Sequence, residues 1–459
     1  MSASLSIAEA GRALRAGDIS SAALVEEALD LIGARDGDVH AFITVQAEEA
    51  LSAAAEADRE RAAGIDRGAL HGIPYAIKDI YDVAGMSTTC HSRLRLDHRA
   101  ERDSAVVERL RAGGAILLGK LATHEFAFGG PSFDLPFPPA RNPWNTAHIP
   151  GGSSSGSAAA VAAGYVRFAP GSCTGGSIRG PAAWCGVVGL KPTYGRVSRR
   201  GVFPLAWSLD HCGPLAATVE DAALVLQVIA GHDPLDPTSA EQPVPDFVTG
   251  LDRGVAGLTV GVPRAFFTGH ALLASETAAA IERALEGLRA AGATVRDIVL
   301  PDLKLFGACG RVLMTAELFA IHGTDLRARP NEYATLTLNR FALGATLTAF
   351  DYLNAQRLRR RLKAEVDHAF DKVNIILTAI SLDTAPAFDP PPNPAAWALQ
   401  ANAFNVTGHP AISVPAGLSS TGLPLAVQLV APHFRENELL SAARALEHSL
   451  TSFRSDVIR

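Results

Sequence analysis

The first sixty residues place apolar side chains at helical intervals. Ile7, Ala10 and Leu14 are three and four positions apart, and the spacing recurs in Ala23, Leu24, Ala28 and Leu31. Apolar residues at such intervals fall on one face of an α-helix. Residues 6–65 are therefore predicted to be helical.

The pattern changes at about residue 70. Short apolar runs separated by Gly and Pro continue to about residue 215, as in HGIPYAIKDI, GAILLGKLA and VRFAPG. Runs of this length between turn residues are typical of strands. This stretch is predicted to form a buried β-rich core.

The second half alternates helical and strand-like segments. VEDAALVLQVIAG reads as a helix and is followed by a Pro/Asp-rich loop over residues 232–247. LTVGVPRAF, SETAAAIERALEGLRAAGA and TVRDIVLPD form a predicted β-α-β unit. Residues 305–370 are predicted to be largely helical, VNIILTAISL to be a buried strand, and APAFDPPPNPAAW to be a Pro-rich loop. The chain ends with two strand-like runs and a helix.

Strands that alternate with helices predict an α/β layered architecture. The 459 residues would allow two or three domains. However, the Pro-rich stretches near 235 and 385 are too short and apolar to be linkers, and no internal repeat is present. We expect one domain.

Composition and charge narrow the function classes. Hydrophobic residues make up 48% of the chain, charged residues 19%, and the formal net charge is −6. A negative net charge argues against a nucleic-acid-binding surface. The one arginine triplet, Arg359 to Arg361, reads as the solvated face of a helix.

The cysteines and the N-terminus indicate a soluble, cytoplasmic protein. Five cysteines are scattered without a C-x-x-C pair, so neither a metal site nor a disulfide framework is expected. Glu9 and Arg12 interrupt the segment where a signal peptide would be apolar. No apolar run approaches the length of a membrane span.

Two motif matches do not fit their surroundings. Gly152 to Gly156 matches G-x-S-x-G, but the preceding RNPWNTAHIP is loop-like where a nucleophile elbow needs a strand. Gly114 to Lys120 matches the phosphate-loop spacing, yet Leu121 stands where a magnesium-binding Ser or Thr is required. Residues 115–118 instead resemble a buried strand.

Lys78 lies within an apolar run, HGIPYAIKDI. Burial disfavours a charged ammonium and lowers its pKa, so a lysine placed there can act as a neutral general base. Two plainer interpretations stand beside this one. The side chain could extend from a strand edge to solvent, or it could pair with Asp79.

Two Gly/Ser clusters, GGSSSGS and GGS, flank a segment of small apolar residues, AAAVAAGYVRFA. The segment predicts a helix packed so closely that backbones nearly touch, which would hold the flanking loops rigid. Hydroxyls and bare N–H groups on rigid glycine turns suit acyl transfer.

Taken together, these segments resemble those of the amidase signature family. HGIPYAIKDIYDVAGMSTT, PGGSSSGSAAAVAAG and GSCTGGSIRGPAAWCGVVGLKPTYGRVS are similar to its lysine loop and its glycine/serine signature, and NVTGHPAISVPAG extends the similarity. The resemblance implies a single amidase-signature domain with a mixed central sheet covered by helices on both faces. Its parts would be N-terminal helices over 1–65, a signature core over about 70–215, a pocket-forming helical region over about 235–400, and C-terminal strands and a helix over 405–459.

The resemblance also implies roles for individual residues. Ser177 would be the nucleophile, Ser153 a relay serine after a cis peptide bond, and Lys78 the general base. An oxyanion hole would be formed by the backbone N–H groups of Thr174, Gly175, Gly176 and Ser177. Phe128, Gly129, Gly130 and Trp207 would contact substrate, although ordinary core packing explains the aromatic residues equally well.

One residue departs from the family pattern. The family usually has Asp where this chain has Cys173, and that carboxylate is suited to pair with the arginine that corresponds to Arg179. Either another acid serves Arg179, or the loop is held differently. A competing nucleophilic role for Cys173 has no obvious activating group nearby in sequence.

The implied reaction is hydrolysis of a carboxylic amide or of an aryl amide, carbamate or urea-type relative, with no metal and no organic cofactor. An apolar small-molecule substrate, no nucleic acid, no membrane and a homodimer are the expected partners. The alternative is the A subunit of a tRNA-dependent amidotransferase, a glutaminase within a complex, against which Gly180 stands where that subunit usually has Gln. A non-catalytic scaffold is a third interpretation.

Overall fold

The computed structural model describes residues 5–389 and 399–450, in which the chain forms thirteen α-helices and eleven strands. The helices are α1 (Ile7–Ala16), α2 (Ser21–Val39), α3 (Ala47–Ala62), α4 (Ala105–Ala112), α5 (Ser155–Ala162), α6 (Arg179–Cys185), α7 (Val219–Ile229), α8 (Ser275–Ala290), α9 (Leu303–Ala328), α10 (Thr335–Phe341), α11 (Ala349–Ala369), α12 (Leu399–Val406) and α13 (Glu436–Ser449). The strands are β1 (Phe42–Val45), β2 (Pro74–Lys78), β3 (Ile116–Leu121), β4 (Phe168–Cys173), β5 (Val188–Lys191), β6 (His211–Ala216), β7 (Thr259–Val262), β8 (Thr294–Asp297), β9 (Ile375–Ala379), β10 (Ala411–Leu418) and β11 (Pro424–Val430).

An eight-stranded sheet forms the centre of the molecule, in the order β4-β6-β5-β10-β11-β9-β7-β8. β7 runs parallel to β8 and β9, and the other neighbours are antiparallel. α5 and α6 contact each other and this sheet. α7, α8 and α13 also pack against the sheet. The predicted mixed sheet with helices on both faces is confirmed.

A second sheet of three strands, β1-β3-β2, was not expected. β2 runs parallel to β3, and β1 runs antiparallel to it. β1 falls inside the stretch predicted to be entirely helical. Its four residues pair with a strand some seventy positions away, so the pairing cannot be inferred from local sequence. The helical periodicity of the flanking segments also makes so short a strand hard to recognise.

Several local predictions are confirmed. Ile7, Ala10 and Leu14 form the buried face of α1, and a Ser6 capping box begins the helix. β7, α8 and β8 form the predicted β-α-β unit. The apolar residues of the phosphate-loop match form β3, as their composition indicated. The predicted loop near 385 can be followed to residue 389, and residues 390–398 lie outside the described part of the chain.

α5 is the small-residue helix between the two glycine/serine clusters, and all eight of its residues are buried. A Cβ at Gly156 would lie 2.5 Å from the carbonyl oxygen of Ala41 and 2.5 Å from the backbone nitrogen of Ala122. The backbone of α5 therefore touches neighbouring backbone directly, as predicted. This contact fixes the loops at both ends of the helix.

One helix corrects an expectation about membrane-length segments. α9 is long and apolar enough to cross a membrane when judged by length and composition alone. It packs against α10, α11 and α12, and Phe306, Cys309 and Leu313 are buried. A core helix of a folded protein passes the same test.

We predict that Gly156→Ala destabilises the protein by about 2–3 kcal/mol, because the added methyl group meets backbone that cannot move aside. Gly33→Ala is the matched control, since Gly33 is also helical but nothing lies within 4 Å of its Cβ position. That substitution should raise the free energy of unfolding by about 0.5–1 kcal/mol. Urea denaturation of both variants measures the difference, and equal effects would contradict the close packing of α5.

Candidate active site

Lys78 is the last residue of β2, and its side chain is completely buried. Nζ lies 2.7 Å from the Ser153 Oγ, 2.9 Å from the Ser172 Oγ and 3.2 Å from the Ser154 Oγ. Three hydroxyls thus surround the amine at hydrogen-bond distance. The side chain does not reach solvent, which excludes the strand-edge interpretation.

Among the described residues, no carboxylate forms an ion pair with Lys78. Asp79 instead pairs with Lys120 at 2.9 Å and accepts hydrogen bonds from Thr89. This arrangement contradicts the interpretation that Lys78 and Asp79 form a structural ion pair. Burial lowers the pKa of Lys78 to about 7. A substantial fraction of the amine is therefore neutral at physiological pH, and a neutral amine can accept a proton.

Ser153 follows a cis peptide bond, Gly152–Ser153. A Cβ at Gly152 would overlap the His124 ring, so that position has no room for a side chain. The His124 N–H donates to the Ser153 carbonyl at 3.1 Å, which fixes the serine from its other side. Ser153 is held by backbone on a loop that leads directly into α5.

The loop from Thr174 to Ser177 joins β4 to α6. Gly176 has a φ of 127°, and a Cβ there would approach the Ala401 side chain to 2.6 Å. The backbone N–H groups of Gly175, Gly176 and Ser177 donate to no other residue of the described chain. Thr174 Oγ1 donates to Asp210 at 2.6 Å, which anchors the start of the loop. The loop therefore presents unused N–H groups at one place.

Ser153 and Ser177 line one pocket of about 260 Å³. Of the substrate contacts predicted from sequence, Phe128, Gly129 and Gly130 line it as well. The N–H-bearing residues Thr174, Gly175 and Gly176 also border this space. The Ser177 hydroxyl has no hydrogen-bond partner within residues 5–389 and 399–450, and Lys78 reaches the pocket through Ser153.

Trp207 is not brought into this pocket. It lines a neighbouring cavity of about 580 Å³ with Phe203 and Asp210, and 48% of its surface is exposed. The two cavities share Ala127 and Leu205. Trp207 lies inside the predicted signature core over about 70–215, and its role as a substrate contact stays a prediction.

The buried Arg179 is held by oxygen acceptors and not by an acid. Its guanidinium donates to the Gln428 and Asn405 side-chain oxygens and to the Ala401 carbonyl, the last at 3.0 Å. Cys173 Sγ lies 3.7 Å from Arg179 Nη2. Of the two outcomes left open by the sequence, the loop is held differently.

Cys173 also interacts electrostatically with Arg179. Burial raises the pKa of the thiol, but the Arg179 charge and the Ile178 N–H outweigh burial, so the pKa lies below its usual value. Cys173 therefore takes part in holding Arg179, together with the oxygen acceptors.

Several contributors were missed by sequence reasoning. Ser172 and Ser154 hold the amine of Lys78, and Ser172 was detectable as an extra serine five residues before Ser177. Met314 and Arg340 line the pocket from α9 and α10. Nothing in the sequence near the signature segments connects these two residues to the site, because the fold brings them there from more than a hundred positions away.

Arg340 places a charge at the wall of a pocket for which an apolar substrate was expected. It lines the pocket, is half-buried, and forms no ion pair with the described residues. Its guanidinium lies 5.8 Å from the Phe128 ring centroid. A cation held without an acidic partner at a pocket wall is suited to an anionic group on a substrate.

Comparison with known proteins connects this site to a family. The amidase family model matches residues 23–440. The A subunit of glutamyl-tRNA(Gln) amidotransferase from Anaeromyxobacter sp. (strain K) is 41% identical, over 97% of this chain and 96% of its own.

Solved structures are similar to this chain over nearly its whole length, as the sequence relatives are. A structure described as "an unexpected vestigial protein complex reveals the evolutionary origins of an s-triazine catabolic enzyme" is 36% identical, with a TM-score of 0.92 over 97% of this chain and 98% of its own. The A subunit of glutamyl-tRNA(Gln) amidotransferase from Thermotoga maritima is 34% identical, with a TM-score of 0.83 over 97% of this chain and 94% of its own.

These relatives overturn one sequence-based expectation. The resemblance implied a small-molecule substrate and the net charge argued against a nucleic-acid partner, yet the similar sequences are named as the A subunit of glutamyl-tRNA(Gln) amidotransferase. The physical reason is that net charge describes one chain only. One protein of a complex need not itself carry the surface that contacts nucleic acid.

Proposed function

Because the chain belongs to the amidase signature family, we propose that it hydrolyses a carboxamide C–N bond through an acyl-enzyme on Ser177, as the glutamine-hydrolysing subunit of a tRNA-dependent amidotransferase. The observation that carries the chemistry is the buried Lys78 amine, 2.7 Å from the Ser153 hydroxyl at the wall of a pocket that also contains Ser177. The names of the curated relatives support the choice of glutamine and of a complex.

The proton path runs from nucleophile to base. Neutral Lys78 takes the proton of the Ser153 hydroxyl, and Ser153 takes the proton of Ser177. At the same time the Ser177 oxygen forms a bond to the amide carbon. When the tetrahedral intermediate collapses, the C–N bond breaks and the proton returns through Ser153 to the leaving nitrogen, which departs as ammonia. Water then adds to the acyl group by the same relay and releases the carboxylic acid.

The negative charge of the tetrahedral intermediate needs donors already in position. The unused N–H groups of Gly175, Gly176 and Ser177 supply them. Position 176 must be glycine, because a side chain there would clash with Ala401 and disturb the loop that presents these groups to the substrate carbonyl. One such donor is worth about 3–4 kcal/mol of transition-state stabilisation. Thr174 stays in the proposal as a fourth donor.

Arg340 supports a substrate that carries a carboxylate. Its guanidinium lies at the pocket wall beside Phe128, and a charge-assisted hydrogen bond to a carboxylate contributes about 1.5–3 kcal/mol. Glutamine has such a group at the end away from its amide. We place the reaction in the cytoplasm, where a glutamyl-tRNA partner would be found.

A second candidate is favoured by Gly180. This residue lines the pocket, and nothing lies within 4 Å of the position its Cβ would take, where the amidotransferase subunit usually has Gln. Together with the s-triazine catabolic neighbour, that open space supports hydrolysis of a urea-type amide within a protein complex. Arg340 serves a carboxylate on either substrate.

The test is ammonia release from glutamine and from a panel of carboxylated acylureas, with the purified chain alone and with the proteins that co-purify with it. Glutamine turnover that rises when co-purifying subunits and glutamyl-tRNA are present supports the first candidate. Turnover of acylureas without glutamine turnover supports the second. Release from neither, by a folded protein with its partners present, contradicts both.

We predict that Arg340→Gln raises KM for the anionic substrate and lowers kcat/KM about 10- to 100-fold, with kcat little changed. Arg329→Gln, an exposed arginine in a surface ion pair, is the matched control and should leave both constants unchanged. Initial-rate kinetics measure the split. An equal fall in kcat and kcat/KM would instead assign Arg340 to transition-state stabilisation.

We also predict that kcat/KM rises about tenfold per pH unit below pH 7 and levels off above it. Lys78 must lose its proton to act as a base, and burial lowers its pKa to about 7, so the active form accumulates as the pH increases through that value.

Ser177→Ala should abolish turnover at every pH while the protein remains folded. A flat profile between pH 6 and 9, or activity in that variant, would rule out this proton path.

A further inference from the structure

A second group of side chains with metal-binding chemistry lies away from the pocket. Asp367 belongs to the last turn of α11, His409 lies just before β10, and His433 lies just after β11. β10 and β11 are antiparallel, and Ala411 pairs with Val430, so the two histidines meet at the same end of these two central strands. The fold therefore brings three segments to one point.

The ligand atoms converge at distances suited to a metal ion. Asp367 Oδ1 lies 2.9 Å from His409 Nε2 and 3.6 Å from His433 Nε2, and all three atoms are within 4.8 Å of one another. Tetrahedral zinc with ligands at 2.0–2.1 Å requires them to be about 3.3 Å apart. The observed spacings lie on both sides of that value.

The nitrogens of both histidines face the Asp367 carboxylate. His409 is completely buried, and its Nε2 lies 2.9 Å from Asp367 Oδ1, so a bound ion would replace this direct contact. His433 Nε2 is buried and lacks a hydrogen-bond partner within the described chain. The imidazole rings lie against each other with centroids 3.9 Å apart.

The surroundings orient the ligands as metal sites usually do. His409 Nδ1 lies 2.9 Å from the Thr407 hydroxyl, which can accept its N–H and leave Nε2 with a free lone pair. Lys363 pairs with the other carboxylate oxygen of Asp367, so Oδ1 remains available. Asp367 and His433 are 42% and 21% exposed, which allows an ion and its water ligands to reach the site.

We propose that Asp367, His409 and His433 bind one divalent transition-metal ion, with water completing the coordination. Two imidazole nitrogens and one carboxylate oxygen are a donor set of the kind preferred by Zn²⁺, with Co²⁺, Ni²⁺ and Cu²⁺ as chemical relatives. The ion would link the end of α11 to the segments that precede β10 and follow β11. The proposal is independent of the reaction at Ser177.

The experiment uses the full chain without a histidine tag, stripped with a chelator and titrated with Zn²⁺ by calorimetry. We expect one ion per chain and an increased unfolding temperature. Asp367→Asn and His433→Ala should each weaken binding by at least about tenfold. The control is His368→Ala, an exposed histidine one residue from Asp367, which should bind as the wild type does.

Co²⁺ spectroscopy separates this site from a cysteine site. Bound cobalt should show d–d absorption without a thiolate charge-transfer band, because no cysteine belongs to the group. The proposal would be overturned by the absence of saturable binding or by a thiolate band. It would also be overturned if Asp367→Asn and His433→Ala bound the metal as tightly as the wild type does.

Discussion

An amine buried among three hydroxyls, and in no ion pair with the part of the chain that the structure describes, is the constraint on which the rest of this site depends. Lys78 ends a strand of the small sheet, while Ser153, Ser154 and Ser172 come from the segments around α5 and β4. The two parts meet because α5, built from Gly, Ser, Ala and Val, allows backbones to touch at Gly156. Larger residues in that helix would separate the base from the relay serine.

Lys78 forms no ion pair with the residues that the structure describes, and this distinguishes it from Lys120. Both lysines are buried, but Lys120 forms an ion pair with Asp79 at 2.9 Å. The Lys78 amine donates to hydroxyls, and desolvation outweighs the opposing influence of Cys173 and Asp210, so its pKa is lowered. Two lysines on adjacent strands thereby acquire different roles, one structural and one suited to proton transfer.

Much of this arrangement could be predicted from the sequence, because it depends on local composition. The small-residue run predicted α5, and the apolar run around Lys78 predicted its burial. The second sheet, Arg340 and the partners of Arg179 could not be predicted, since each depends on contacts between distant segments. Trp207 lies within the predicted signature core, yet it lines the neighbouring cavity and not the pocket that contains Ser177. The partner prediction failed for a different reason: it took the charge of one chain for that of an assembly.

The central claim is that Lys78 is largely neutral near pH 7, and the most direct measurement is its own titration by NMR. The chain has six lysines, so ¹⁵N labelling of the lysine side chains gives few signals, and Lys78→Met and Lys191→Met assign the two completely buried candidates outside an ion pair. We predict a midpoint near 7 for Lys78. A midpoint close to the ordinary value of about 10.4 would mean a charged amine at neutral pH and would contradict the account.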